Sequence, residues 1–158
     1  MARKDRWPRT GVSVMAERDV RMAGGMPPDE HRELFRWCMG RADFGADYGG
    51  WLDLMQGAPE RLIEVFHTLD QFEGSTWAQL RTDKPSDPTL HYYPDPTVIA
   101  RWAQRRLATF DTRRVGDPLW AFHMSGARVV WGFKDGDTLH VLWWDPEHKV
   151  YPTRKRRT

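Results

Sequence analysis

The segment from Asp145 to Pro152, which reads Asp-Pro-Glu-His-Lys-Val-Tyr-Pro, gathers several titratable side chains in a short stretch. His148 supplies an imidazole, the side chain most often used to move protons near neutral pH, and Tyr151 supplies a phenol, so the pair has the groups that general acid–base catalysis requires. This chemistry would suit the cleavage of a phosphodiester bond. A structural interpretation stays open, in which Asp145 starts a turn, Tyr151 packs and His148 caps backbone carbonyls.

Arg128 is a second candidate, because it opens a predicted strand whose apolar residues, Val129 to Trp131, would hold it firmly. A fixed guanidinium presents a fork of donors that matches the oxygens of a phosphate group. The alternative for Arg128 is a salt bridge to Asp117 or Asp145.

The predicted hairpin places Arg128 near His148. Counting outward from the turn at residues 134–137, antiparallel pairing sets Arg128 opposite Trp143 or Trp144, a few residues before His148. With a strand rise of roughly 3.3 Å per residue, the two side chains would lie within about 10 Å of each other. We therefore expect Arg128 and His148 to share one pocket, and the candidate catalytic residues are Arg128, His148 and Tyr151.

The other histidines and acids show no metal-ligand spacing. His123 and His140 fall on two predicted strands, whereas Asp83, Asp87 and His91 fall in a proline-rich connector. The chain has one cysteine, so a cysteine-based zinc site cannot form. We expect neither a metal site nor an organic cofactor.

Positive charge is concentrated at the two ends of the chain, although the formal net charge is only +2. Residues 1–9 carry four cations against one acid, and the C-terminal tail carries four cations and no acid, so the residues between them are net acidic. Cationic side chains bind nucleic-acid phosphates. Those expected to bind RNA are Arg101, Arg105, Lys149, Arg154, Lys155, Arg156 and Arg157. A tail that is merely solvated is the alternative.

The length and composition suit one compact domain, with 158 residues of which 40% are hydrophobic and 29% charged. We expect an α+β fold in which residues 1–26 form a flexible basic arm and residues 27–158 form a single domain. Within that domain, residues 27–81 are predicted to be helical, residues 95–153 to be a helix plus a β-meander, and residues 154–158 to be a basic tail.

Three helices are predicted in the first half of the chain. One runs from Pro27 to Gly40, one with the clearest apolar stripe runs from Pro59 to Phe72, and a short one begins after a Ser75 cap. Four prolines make residues 82–96 an extended connector, and a basic amphipathic helix follows from Pro96 to Phe110.

Toward the C-terminus the hydrophobic period changes from about 3.6 to about 2 residues, which indicates strands. Three are predicted, at Leu119–Met124, Arg128–Phe133 and Leu139–Trp144. Short loops between them predict a small three-stranded antiparallel sheet with helices on one face. At least one of Trp143 and Trp144 would then point away from the principal core, either to stack on a base or to lie under a helix.

Several classes of protein are excluded by what the sequence lacks. No apolar run approaches the roughly 18 residues of a membrane helix, and no signal-peptide pattern follows the charged N-terminus. With the lone Cys38, these features predict a cytoplasmic protein. The glycine-rich residues 40–50 lack a P-loop lysine, and no Ser or Cys sits in a nucleophile elbow, so nucleotide hydrolysis and acyl transfer have no support.

The runs from Leu119 to Phe133 and from Leu139 to Pro152 resemble the C-terminal meander of the RelE/ParE toxin superfamily, over roughly the last 60 residues. Ribosome-dependent members of that family cleave mRNA and are neutralised by an antitoxin. The resemblance implies that Arg128 takes the phosphate role and that His148 and Tyr151 form the terminal pair. The motif W-D-P-x-H-x-V-Y-P, here Trp144 to Pro152, is also similar to the ending of a family of bacterial proteins, which implies no particular function.

Two hypotheses follow. The leading one is an RNA-directed, toxin-like protein, an endoribonuclease of RelE/ParE type that needs no metal and whose partners are RNA or the ribosome and an antitoxin. Its chemistry would be attack of a ribose 2′-hydroxyl on the adjacent phosphate. The alternative is a non-catalytic protein-interaction module that holds its partner on a Trp-rich sheet.

Overall fold

A mixed five-stranded sheet forms the centre of the computed structural model, which describes residues 28–84 and 86–152. The predicted arm at residues 1–26 and the predicted basic tail at residues 154–158 lie outside the described residues. Four α-helices accompany the sheet, and the α+β class is confirmed. Among the described residues, none of the helices has the length and apolar character needed to cross a bilayer.

The strands are β1 (Arg36–Cys38), β2 (Leu90–Tyr93), β3 (Leu119–His123), β4 (Val129–Asp135) and β5 (Thr138–Asp145). Their order across the sheet is β1-β5-β4-β3-β2. β1 runs parallel to β5, whereas every other neighbouring pair is antiparallel. The predicted three-stranded sheet is therefore too small. Its meander forms the middle of a larger, mixed sheet to which β1 and β2 add an edge each.

β1 lies where a helix from Pro27 to Gly40 was expected, and that prediction is wrong. The described chain begins with a 3-10 helix, Pro28–His31, and then extends. Phe35, which is fully buried, donates a backbone hydrogen bond to the carbonyl of Ser75. Pairing with β5, distant in sequence, decides the conformation of this segment, and local helix signals do not.

β2 lies in the segment, residues 82–96, that was expected to be an extended connector. It is an edge strand between Pro88 and Pro94, and it pairs with β3 from Leu90 opposite Phe122 to Tyr93 opposite Leu119. Prolines are tolerated at the ends of an edge strand because no further strand needs their missing N–H.

The α-helices are α1 (Trp51–Gly57), α2 (Pro59–Gln71), α3 (Trp77–Thr82) and α4 (Arg101–Phe110). The predicted start of α2 at Pro59 is confirmed. The cap of α3 is Thr76, which exchanges side-chain and backbone hydrogen bonds with Gln79, so the expected Ser75 cap is wrong by one residue. The helix expected from Pro96 is split, because a 3-10 helix, Pro96–Val98, precedes α4.

Helices cover both faces of the sheet, where one covered face was expected. Trp120, Phe122 and Val130 pack on one side against α1, α2 and α3. Ala121 and Trp131 pack on the other side against α4. We call these the α2 face and the α4 face. The sheet is therefore the middle layer of three, and its side chains are buried on both sides.

A β-bulge between Trp131 and Gly132 sets which way the C-terminal tryptophans point. A side chain at Gly132 would bring its Cβ to 2.4 Å from the carbonyl oxygen of His140, so only glycine fits there. Trp143 packs on the α4 face and Trp144 on the α2 face, and their exposed fractions are 0% and 5%. The two rings do point to opposite faces, and both are covered.

The buried stripe of α2 gives a stability test. Leu69 is 0% exposed in the core of the α2 face, so Leu69→Ala should lower the free energy of unfolding by about 2–5 kcal/mol through the cavity it leaves. Ile63 on the same helix is 54% exposed, and Ile63→Ala should change it by less than about 0.5 kcal/mol. Urea unfolding measures both, and equal losses would contradict this account of the core.

Candidate functional site

Three histidines and an aspartate meet at one end of the sheet, on the α4 face. His91 lies in β2, His123 ends β3, His148 lies in the turn after β5, and Asp87 precedes β2. We call Asp87, His91, His123 and His148 the histidine cluster. The β2–β3 register brings the first three together, since it sets Leu90 opposite Phe122 and ties the backbone N–H of His123 to the carbonyl of Thr89.

The contacts within the histidine cluster are short. Asp87 Oδ1 lies 3.1 Å from His91 Nε2 and 3.8 Å from His123 Nδ1. The rings of His91 and His123 stack with their centroids 4.1 Å apart, and the ring of His148 meets His123 edge-on at 5.4 Å. Asp87, His91 and His123 each offer one possible metal-ligand atom, and these three atoms all lie within 4.8 Å of one another.

His123 is the least solvated member of the cluster. Burial lowers the pKa of His123 to about 4, and the neighbouring imidazoles of His91 and His148 add to this effect while Asp87 opposes it. The ring is therefore neutral at pH 7 and keeps a free lone pair. Its Nε2 is buried and has no hydrogen-bond partner in the part of the chain that the structure describes.

The turn that carries His148 is built around Asp145. Each oxygen of the buried Asp145 carboxylate accepts two hydrogen bonds, and the four donors come from three segments of the chain. They are the Tyr48 hydroxyl at 2.6 Å, the Trp131 indole at 3.1 Å, and the backbone N–H groups of Lys149 at 2.8 Å and Val150 at 3.0 Å.

Asp145 therefore fixes the backbone after His148 directly, and it fixes the backbone before His148 through Tyr48, whose hydroxyl accepts the N–H of Glu147 at 3.1 Å. His148 itself adopts a left-handed conformation with φ of 58°, which a non-glycine residue adopts only when its surroundings require it. Its Nδ1 lies 3.2 Å from the carbonyl oxygen of Tyr151. A carbonyl only accepts, so Nδ1 carries the proton of a neutral His148 ring and Nε2 carries the lone pair.

Tyr151 packs beside the cluster and does not project freely from the molecule. Its ring centroid is 5.1 Å from that of Tyr93, on the α4 face. Burial raises the pKa of Tyr93 to about 12, and Tyr151 contributes to the shift.

A groove of about 540 Å³ lies on the other side of the sheet end, between α2 and the β3–β4 turn. Arg128 lines it, and its side chain is 40% exposed. The guanidinium donates from Nε to the Ser125 carbonyl at 3.1 Å and from Nη2 to the Ser125 hydroxyl at 2.5 Å. Its Nη1 lies 3.8 Å from a carboxylate oxygen of Glu64 on α2. The expected salt bridges to Asp117 or Asp145 are not the contacts that Arg128 makes.

The structure does not bring Arg128 and His148 into one pocket. Arg128 lies two residues before Val130, which packs on the α2 face, and the contact with Glu64 points the same way. His148 lies beside His123 and Tyr151 on the α4 face. The catalytic roles of Arg128, His148 and Tyr151 stay predictions, but their arrangement gives no support to a mechanism that needs all three at one phosphate.

The predicted RNA contacts are placed as follows. Arg101 and Arg105 are exposed, one turn apart on α4. Lys149 is also exposed and pairs with Glu147 at 2.5 Å. Arg154, Lys155, Arg156 and Arg157 lie outside the described residues.

Sequence reasoning missed the histidine cluster because it divided its members between two sets. The spacing of Asp87 and His91 is visible in the sequence, but their meeting with His123 depends on the β2–β3 register. A second missed contact lies at the other end of the sheet, where Cys38 Sγ is 3.3 Å from His140 Nδ1. The neighbouring carboxylate, Asp135, accepts hydrogen bonds from both terminal guanidinium nitrogens of Arg114, so it is part of an ion pair.

Comparisons with protein-family models, curated proteins and solved structures gave no match. The resemblance to the RelE/ParE superfamily therefore stays a prediction.

The Asp145 network gives a second stability test. Asp145→Asn would place an amide NH2 group, which cannot accept hydrogen bonds, against N–H donors. It should lower the free energy of unfolding by on the order of 3 kcal/mol. Asp137, in the β4–β5 turn, is 42% exposed in its side chain and pairs with Arg36, which is 65% exposed, so Asp137→Asn should cost less than about 1 kcal/mol. Urea unfolding compares the two variants, and similar costs would show that the network does not organise the turn.

Proposed function

We propose that this protein binds RNA, with Arg128 as its central phosphate contact. The observation that carries the proposal is the fixed guanidinium in the groove. Two of its nitrogens are tied to Ser125, and the third lies 3.8 Å from a carboxylate oxygen of Glu64 on the lining of the groove. A guanidinium held in this way loses little side-chain entropy when it binds a phosphate.

The lining of the groove suits a polar, anionic ligand. Lys84 brings a second cation, and Thr68, Gln71 and Ser125 bring uncharged hydrogen-bonding groups. Glu64 is the one acid of the lining and is 66% exposed in its side chain. Its carboxylate would compete with a phosphate for Arg128, so it should weaken binding.

Further cations outside the groove support a polyanionic ligand over a small one. Arg101 and Arg105 lie on an exposed face of α4, whereas neighbouring Arg106 is neutralised by the buried Asp43. The four cations at residues 154–157 follow the described chain. The resemblance of the meander to RNA-cleaving toxins supports RNA as the polyanion.

The tryptophans of the meander contribute no stacking surface. Trp120, Trp131 and Trp143 are at most 1% exposed, so they meet neither an RNA base nor a protein partner on the sheet. Binding would thus rest on phosphate contacts, which depend strongly on salt and little on base sequence. The more specific form of this proposal is a metal-independent endoribonuclease activity. Its general acid and general base would have to come from somewhere other than a pocket shared by Arg128 and His148.

Two substitutions in the groove should act in opposite directions. Arg128→Ala should weaken binding of a labelled single-stranded RNA and reduce the slope of log K against log salt by about 0.7, the loss of one phosphate contact. Glu64→Gln should tighten binding, because it removes the competing carboxylate. Fluorescence anisotropy at several salt concentrations, with a chelator present, measures both.

Arg36→Ala is the matched control, since Arg36 is an exposed, ion-paired arginine in β1, outside the groove. It should leave affinity near the wild-type value. If Arg128→Ala and Arg36→Ala have equal effects, or if the wild-type protein binds no RNA, the proposal fails.

The tail at residues 154–158 gives a separate test. If its four cations contact phosphates, deleting these residues should lower affinity and flatten the salt dependence, because fewer counterions are released on binding. Affinity that stays unchanged at every salt concentration would leave the tail without a role in binding.

A further inference from the structure

The histidine cluster has the donor set of a transition-metal site. We propose that Asp87, His91 and His123 bind a divalent transition-metal ion, zinc by the chemistry of the donors, and that His148 supplies the fourth ligand. This inference does not depend on RNA binding, since it rests on different residues and contacts.

The spacing of the donors fits one shared ion. The ligand atoms of Asp87, His91 and His123 lie within 4.8 Å of one another. Zinc binds imidazole nitrogens at about 2.0–2.1 Å and carboxylate oxygens at about 2.0–2.2 Å in a tetrahedral arrangement. Two imidazoles on one such ion have ring centres about 5 Å apart. Those of His123 and His148 are 5.4 Å apart, and those of the stacked His91 and His123 rings, 4.1 Å apart, would have to separate when the ion binds.

The hydrogen bond of His148 prepares it as a ligand. Metal-binding histidines usually donate the proton of one ring nitrogen to a carbonyl or carboxylate, which leaves the lone pair of the other nitrogen for the metal. His148 does this with Nδ1 and the Tyr151 carbonyl. The Asp145 network holds the backbone on which that arrangement depends.

The contacts among the described residues do not fully account for the convergence of the members of the histidine cluster. A hydrogen bond to Asp87 accounts for His91, but His123 is packed between two other imidazoles, and its buried Nε2 has no partner among the described residues. An ion shared by the rings and the carboxylate would account for their convergence.

The donor types also select among ions. Two or three imidazoles with one carboxylate suit zinc and its first-row neighbours, whereas magnesium and calcium prefer sites made of oxygen. The ion would tie the edge strand β2 and the turn after β5 to the end of β3. Because His123 also lines the groove beside Arg128, the ion would lie next to that groove.

Metal titration of the full-length protein tests the proposal. After treatment with a chelator and its removal, calorimetry should show one Zn²⁺ bound per chain at about micromolar or tighter Kd, with no comparable binding of Mg²⁺. Co²⁺ should give the visible absorption of a four-coordinate site. His91→Ala and Asp87→Asn, both at partly or fully exposed positions, should weaken Zn²⁺ binding by about tenfold or more.

His148→Ala should also weaken binding and should change the Co²⁺ spectrum, because it removes one ligand. His67→Ala is the control, since His67 is an exposed histidine on the groove lining outside the cluster, and it should leave binding unchanged. Circular dichroism of each apo variant checks folding, and the rise in Tm on adding Zn²⁺ gives a second readout.

The proposal is overturned if wild-type protein binds no Zn²⁺, or if His91→Ala binds as tightly as His67→Ala. An unchanged affinity and Co²⁺ spectrum in His148→Ala would overturn the fourth ligand. RNA affinity measured in chelator has no bearing on any of these outcomes.

Discussion

The carboxylate of Asp145 accepts hydrogen bonds from a tyrosine, a tryptophan and two backbone amides, and it lies fully buried. Burial of a carboxylate is costly unless donors replace its lost water, and here four donors do so. Those donors belong to the 43–50 loop, to β4 and to the turn after β5. One group thus determines how three separate segments meet, and the position of His148 depends on all of them.

A second buried acid, Asp43, joins the same loop to α4. Burial alone would raise the pKa of Asp43, but the hydrogen bonds from Arg106 and Trp143 and the charge of Arg106 hold it below its usual value. Asp43 also donates its backbone N–H to Leu142 of β5. The two acids together fasten a loop along the edge of β5 beyond the short β1. Because helices cover both faces of the sheet, the ends of the strands and the outer faces of the helices are the surfaces open to a ligand.

Local periodicity predicted the parts of the fold that local sequence controls. The stripe of Val65 and Leu69 on α2 and the three strands of the meander were predicted for that reason. β1 was not predicted, because a strand of three residues is too short to show a hydrophobic period and is defined by its parallel pairing with β5. The face of the sheet to which Arg128 points was not predicted either. Side chains alternate across a strand, so a shift of one residue in the register reverses the face.

His123 is the residue at which the two proposals meet. It lines the groove that holds Arg128, and it contacts both His91 and His148 on the α4 face. His123 reaches both sides because it lies at the end of β3, beyond the part of the sheet that the helices cover. An ion at the histidine cluster would add positive charge beside the groove and would favour an anionic ligand there, because Coulomb attraction is strong where solvent is partly excluded. Both ligands would thus use His123, the last residue of β3, and neither would use the tryptophans in the middle of the sheet.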